Sequence, residues 1–456
     1  MFDINYVFGF IALYFIIFFG VSRVINNRDP NKLDFIVANR NAGLFQSTVA
    51  TVGGWVTGLG MLVTAQQFYT NGWAGFFWFS VPQMFSMLIF AWATIQINKR
   101  VPNGYTTTKW IFDTYGRGVG LIFQIVFLFS CLGVLATTFT AVFKYIKFIE
   151  IGNAELITGL IILGTAIYSL RGGIRVSLLT STIQTITNFA LIILLIYLAY
   201  QFIPDANYIH ALYGKNQITN LFDSNLLMTF GISSTIVFLT GPMISAGHHQ
   251  KSFAQQNLQP YKAWLWGTPL LHLLLTLFGM LGYLAYAWGG QITDPSVGQL
   301  FLFKAVGVFA LAIFGVIILN CACMIIDAHG NAFGSIIAHD FVKDEKHSVT
   351  VARISILAIA IIAWIISICN FDLTYIFFTY STMRVNLFVI LILILTTNYL
   401  TKNGIFWTTL VMCPLTTFIG LYGMAHKEPM FNTAAMIIAL AITPMIAVVI
   451  SRWDRK

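Results

Sequence analysis

The chain alternates long apolar runs with short polar connections. Runs long enough to cross a bilayer core, about 20 residues each, fall at roughly 4–22, 46–67, 74–98, 118–147, 154–170, 176–203, 225–246, 262–289, 300–338, 350–369, 371–396, 404–424 and 433–451. They predict an all-α, polytopic membrane protein with about thirteen transmembrane helices. The 300–338 run is too long for one upright span, which predicts a helix that tilts or projects into the cytoplasm. Between Asn39 and Gly116 the pattern departs most from a plain span. There Gly53, Gly54, Gly58 and Gly60 interrupt an apolar run, with Thr51, Trp55 and Thr57 among them. A polar, glycine-rich break is costly in lipid and persists where the freed backbone lines a cavity or meets an ion. A second such stretch, TFGISSTIVFLTGP within 225–246, follows five spans later. Two interrupted spans at corresponding positions predict an inverted repeat with a midplane site between its halves, about 46–203 and 225–396, in a single transmembrane domain over 1–456. The alternative for both stretches is close helix packing at small residues.

Composition narrows the class. Of 456 residues, 58% are hydrophobic and only 9% charged, against roughly 25% charged in soluble domains. Too little charge is present to cover a water-facing surface, so the bilayer is the expected solvent. The net charge of +9 is better placed in cytoplasmic loops than on nucleic acid. With the N-terminus outside, those loops hold Arg23, Arg28, Lys32, Arg40, Lys99, Arg100, Lys109, Arg117, Arg171, Arg175, Lys251, Lys262, Lys343, Lys346, Arg353 and Lys402, and the tail adds Arg452, Arg455 and Lys456. The outer loops keep only Lys144, Lys147, Lys215 and Lys427, with Lys304 beside them. This asymmetry predicts a multi-pass protein of the inner or plasma membrane, with an outside N-terminus and a cytoplasmic C-terminus. The first run lacks the pattern of a cleaved signal and reads as a retained span.

Other chemistry has little support. Cys131, Cys321, Cys323, Cys369 and Cys413 all lie in apolar segments without metal-site spacing, and read as packing residues. The adjacent His248 and His249 lack a carboxylate or thiol partner and read as part of a cytoplasmic loop. There is no P-loop, nucleophile elbow, zinc-hydrolase motif or paired-carboxylate site. The reading therefore contains no enzyme, cofactor or metal centre. Its partners are a small-molecule solute and the lipid bilayer, with no nucleic acid, and nothing in the chain indicates an oligomeric state.

Several motifs are more specific. Trp55 is followed by Tyr69-Thr-Asn-Gly72 and Ala74-Gly75-Phe76-Phe77-Trp78, then by Val101-Pro102-Asn103-Gly104-Tyr105-Thr106 and Tyr115-Gly116. Tyr168-Ser-Leu-Arg-Gly172-Gly173-Ile-Arg175 continues to Thr180 and Gln184. His248-His249-Gln250-Lys251-Ser-Phe253-Ala254 comes later, then Asp327, Asn331, Ser335 and Asp340. Together these resemble the sodium:solute symporter family, in motif most like its urea-active-transporter branch, over about Phe35 to Phe341. The resemblance implies a LeuT-like fold of two inverted five-helix repeats, here with one extra N-terminal and two extra C-terminal helices. It also implies a sodium ion held between backbone carbonyls of the first core helix, which fall near Gly53 and Val56, and two hydroxyls of the eighth. The hydroxyl positions fall on Met324 and Ile325, and the family's Asp after the Gly-Gly loop falls on Ser181, following Thr180. Sodium is a hard cation that wants oxygen ligands, so the transported ion, Na+ or H+, is expected to be the proton if transport is coupled.

The candidate residues follow. Asp327 lies deep in an apolar helix and is either a proton carrier or a structural partner within the bundle. Arg384 interrupts the tenth core span; pairing with Asp327, facing a substrate carboxylate and snorkelling to the cytoplasm are equal alternatives. Tyr380, Ser381, Thr382 and Asn386 make that helix polar on one side. Trp55, Gln66, Gln67, Tyr69 and Trp78 are candidate substrate or gate residues, since aromatic walls with a few polar groups suit small polar solutes. The expected function is symport of a small polar, nitrogenous solute by alternating access. The alternatives are a transporter-derived solute sensor and an uncoupled facilitator.

Overall fold

The computed structural model describes residues 4–25, 30–170, 172–205, 207, 220–255 and 260–455. The charge assignments to Arg28, Arg171, Lys215 and Lys456 lie outside the described residues. Among the described residues, nine helices are long and apolar enough to span a membrane, and Ile11–Gly20, Ala154–Ser169 and Ser224–Thr240 are shorter apolar helices. The longest, Gly58–Arg100, turns at Gly72, whose φ of 57° and ψ of −148° end one helix and begin the next. Dividing it there accounts for the expected number of spans.

Burial orders these helices. The most hydrophobic windows of Val308–Phe341 and Leu373–Thr396 are each 78% buried, whereas those of Glu345–Ile368 and Pro429–Asp454 are 33% buried. The first pair therefore forms the bundle's centre, and the second pair faces lipid with Ile361, Ile362, Ile365, Met445 and Val449 exposed. The two C-terminal helices are tied to the centre by polar side chains. Asn386 donates to Thr416 Oγ1 at 2.7 Å and accepts from Thr443 Oγ1 at 2.6 Å. Hydrogen bonds between helices hold where lipid offers no competing partner.

Four expectations are corrected. The long 300–338 run is not one tilted helix. It divides at Gly307, whose φ of 136° separates Gly298–Val306 from a helix starting at Val308. A residue with a Cβ would be strained there. The second interruption lies later than the centre of the polar stretch. Helix runs on to Thr240, bends through Gly241, Pro242 and Ile244, and restarts as Ala246–Phe253. That second half-helix contains His248, His249 and Lys251, all buried, so they are not part of a solvated cytoplasmic loop. The Gly-Pro step turns the chain back into the bundle, which charge counting does not detect. Cys369, by contrast, is exposed and not a packing residue.

The first broken span comprises Leu44–Trp55 and the helix beginning at Gly58. Thr57 caps the restart by accepting from Gly60 N at 3.3 Å. The N-terminal end of this span meets the C-terminal end of the second one, where Ala42 N donates to Ala254 O at 3.0 Å. Nearby, the short helix Thr107–Tyr115 is anchored by Asp340. Its carboxylate accepts from Thr106 Oγ1 at 2.7 Å, Thr108 Oγ1 at 2.6 Å and Gln124 Nε2 at 3.0 Å. Asp340→Ala leaves three donors without this acceptor, each costing about 1–3 kcal/mol if unsatisfied. The expected outcome is a lower Tm for the detergent-purified variant, with Asp340→Asn in between. An unchanged Tm for Asp340→Ala would show that the anchor contributes nothing.

Candidate functional site

The two breaks face each other. A Cβ on Gly241 would sit 3.1 Å from Trp55 Cη2, and the Trp55 and His248 rings lie 5.0 Å apart, edge to face. Between them is a small cleft. Its walls are mainly apolar, with Phe79, Phe238 and Phe377 prominent, and its polar groups come from Thr57, Gln83, Ser245, His248, His329, Tyr380 and Arg384. A mostly apolar hollow with a few converging polar groups is the usual form of a small-molecule site.

Each polar group is positioned from a different element. Trp55 donates from Nε1 to Gln83 Oε1 at 2.6 Å, and Gln83 is fixed in turn by donating to Phe79 O at 2.7 Å. Arg384 donates to the Gly241 carbonyl and lies 5.5 Å from the Tyr380 ring centroid. Gly133 makes room for that ring, since any Cβ there would collide with it. Arg384 is only 4% exposed. It therefore does not snorkel to the surface, and its contact is the carbonyl at the second break instead of Asp327. Among the described residues, three buried polar atoms around the cleft have no partner: Arg384 Nε, His248 Nε2 and His329 Nδ1.

Asp327 lies to one side, in a π-helical turn over Ile326–Gly330. Such turns widen a helix and re-aim its side chains. The Asp327 carboxylate accepts from the Tyr168 hydroxyl and from Thr180 Oγ1, the latter at 2.8 Å. Its backbone carbonyl accepts from Ser177 Oγ at 3.0 Å and Asn331 Nδ2 at 2.8 Å. These contacts join the helices Ala154–Ser169, Gly173–Phe202 and Val308–Phe341 at one carboxylate.

The residues around Gly53 do not fit a bound sodium ion. A Cβ on Gly53 would lie 2.7 Å from Met324 Sδ and against Thr185 Oγ1, so the thioether fills the gap between the two helices. Thr185 Oγ1 donates to Ser181 O at 2.7 Å and lies 3.3 Å from Met324 Sδ, so the thioether occupies the space before it. Ser181 Oγ is buried without a partner, and Val56 is buried at the break. Beside these glycines the Lys251 ammonium reaches in and donates to Ala50 O at 2.6 Å. Among the described residues no group of three His, Cys, Asp or Glu could hold a metal ion.

Of the residues singled out from sequence, Trp55, Tyr380 and Arg384 meet at the cleft, and Gly53, Ser181 and Asp327 line the neighbouring helix contact. Gln66, Gln67, Tyr69 and Trp78 stand apart from both. Gln66 is ten residues beyond Val56, about 15 Å along a helix. Gln67 accepts from Asn71 at 2.7 Å, Tyr69 packs 6.1 Å from the Tyr286 ring, and Trp78 donates to Leu221 O at 2.7 Å. Gln83, His248, His329 and Lys251 were missed. Gln83 looks like one polar residue in an otherwise apolar span. The Gly241-Pro242 step was the available signal for the other half-helix.

No family model matches the chain. Its fold closely matches that of a Na+-coupled sialic acid symporter solved in a substrate-bound, outward-open state. The TM-score is 0.82 at 13% identity, over 99% of this chain and 98% of that one. The architecture is thus that of the LeuT-like transporters. In sequence, the chain is 24% identical to a probable urea active transporter of Schizosaccharomyces pombe (strain 972 / ATCC 24843), over 41% of this chain and 28% of the relative. It is 24% identical to a urea-proton symporter of Oryza sativa subsp. japonica, over 35% of this chain and 22% of the relative. The matched region thus spans about a quarter of these relatives' length. Fold and sequence together bear out the resemblance to the sodium:solute symporter family.

The site's packing makes a direct prediction. A Cβ on Gly54 would overlap the Lys251 ammonium and lie 3.3 Å from Ala328 Cβ. Gly54→Ala is expected to displace Lys251 and weaken solute binding by about tenfold or more, measured as Kd on detergent-purified protein. Wild-type affinity in the variant would show that the ammonium's position is unimportant for the cleft.

Proposed function

We propose that this protein is a secondary transporter of the cell membrane, carrying a small, polar, nitrogenous solute by alternating access around the cleft between the two broken helices. One observation carries the reading: the two breaks meet at a cleft whose buried polar groups, Arg384 Nε, His248 Nε2 and His329 Nδ1, are left unpartnered among the described residues. A buried polar group without a partner costs about 1–3 kcal/mol, and a solute that pairs with these groups recovers it. The described lining residues include a guanidinium and no carboxylate. That balance supports a solute with a carbonyl or carboxylate acceptor and disfavours a polyamine. Urea, named for the relatives, satisfies the requirement with one carbonyl and four N–H donors.

For coupling, the proton is favoured over sodium. Met324 and Ile325 offer no oxygen where the family's hydroxyls would stand, whereas Asp327 is a buried carboxylate hydrogen-bonded to two neighbouring helices. We assign the halves of the inverted repeat to about 46–203 and 225–396. The basic loops support an outside N-terminus and a cytoplasmic C-terminus.

In proteoliposomes, an imposed proton gradient is expected to drive accumulation of labelled urea or another small carbonyl-bearing solute without sodium. Flux that only equilibrates would indicate a facilitator, and binding without flux a sensor. Asp327→Asn is expected to abolish proton-driven accumulation while leaving solute exchange between preloaded vesicles and medium. Full accumulation in that variant would remove Asp327 from coupling. Arg384→Gln is expected to raise the solute Kd by about tenfold or more, and an unchanged Kd would place the solute elsewhere.

A further inference from the structure

The helix Leu44–Trp55 ends inside the protein, and its last carbonyls point toward the break. A helix C-terminus carries about half a unit of negative charge, and neither lipid nor a well-packed bundle neutralises it. Lys251 lies on the other broken span, in the half-helix Ala246–Phe253, and is 1% exposed. Its ammonium donates to Ala50 O at 2.6 Å, one helical turn before Gly53 and Gly54. Gly54 is small enough to admit it: any Cβ at that position would overlap Nζ. On the far side, Met324 and Ala328 press the Val308–Phe341 helix against the same pair of glycines. Asp327 stands on that helix next to Ala328, and His248 lies three residues before Lys251 on its own half-helix.

An unpaired ammonium in this environment would cost several kcal/mol to bury. Lysine is the wrong choice if the segment needed only packing, because a methionine would fill the same volume without that cost. The charge is retained where the first half-helix ends and where glycine gives it space.

We propose that Lys251 is a tethered cation: its ammonium supplies, from within the chain, the positive charge at the first helix break that a bound monovalent metal ion would otherwise bring from solution. The solute-binding form is assembled when this ammonium joins the second broken span to the first. Because the cation is covalently held, binding requires no sodium. This rests on the transporter reading above and explains why the carbonyl end near Gly53 can persist beside the thioether of Met324.

The test is solute binding to detergent-purified protein, using radiolabelled urea or whichever carbonyl solute the uptake panel identifies. In wild-type protein, replacing sodium by N-methylglucamine is expected to leave the Kd unchanged within about twofold. Lys251→Ala is expected to weaken binding by about tenfold or more, with recovery on adding ethylammonium but not ethanol, a neutral molecule of similar size. In Lys251→Cys, alkylation by bromoethylamine restores a side-chain ammonium and is expected to restore binding, whereas iodoacetamide is not. Wild-type protein treated with each reagent controls for the native cysteines. Sodium-dependent binding by the wild type would overturn the proposal, and this arm needs no variant to fold. Wild-type affinity in Lys251→Met, or equal rescue by ethanol, would overturn it too. Failure of every solute to bind the wild type would refute the transporter reading itself, a result distinguishable from failure of the Lys251 arms alone.

Discussion

Two helices in this protein stop within the bundle, and their exposed carbonyl ends have no solvent to satisfy them. A buried cation from a distant part of the chain stands beside each end, against Gly54 in the last turn of the first and at Gly241 after the second. Lys251 reaches Ala50 in the first broken span, and Arg384 reaches Gly241 in the second. At an effective dielectric near 20, two unit charges 4 Å apart interact by about 4 kcal/mol, so a half-charge helix end gains about 2 kcal/mol from such a neighbour. Without these contacts the irregular backbone at the centre of the bundle would be too costly to keep, and the cleft depends on that backbone.

The cations also divide the labour of the site. Arg384 is shared between a backbone carbonyl and the cleft, where its Nε has no partner among the described residues. Lys251 faces away from the cleft toward the helix carrying Met324, Asp327 and Ala328. The cleft and the Asp327 junction are thus linked through the same half-helix, which carries His248 at the cleft and Lys251 beside Gly54. Alternating access requires such a link, because solute occupancy must be felt by the helices that move.

Much of this architecture was legible in the chain. Apolar run length located nearly every span, because the bilayer thickness imposes it. Gly53, Gly54 and Trp55 marked the first break correctly, because lipid does not tolerate such a run unless it lines something. Trp55, Tyr380 and Arg384, which line the cleft, stood out for the same reason: a polar or aromatic group deep in an apolar span needs a partner. The second half-helix was not legible. The tract His248-His249-Gln250-Lys251 has the composition of a loop, and only the fold shows that Gly241 and Pro242 turn it inward. Gln66, Gln67, Tyr69 and Trp78 were drawn in by nearness in sequence to the break. A helix carries residues about 1.5 Å apart along its axis, so ten residues suffice to leave the site. The 300–338 run hid its division because Gly307 is one small residue among apolar neighbours.

The central claim is that the cleft between the two breaks is the solute site and opens alternately to both faces of the membrane. The most direct measurement is the reactivity of a single cysteine at Thr57, in a protein otherwise free of cysteine, toward a membrane-impermeant thiol reagent applied to right-side-out and inside-out vesicles. The account predicts labelling from both sides, suppressed on both by the transported solute. Labelling from one side only, or labelling that solute does not affect, would contradict it.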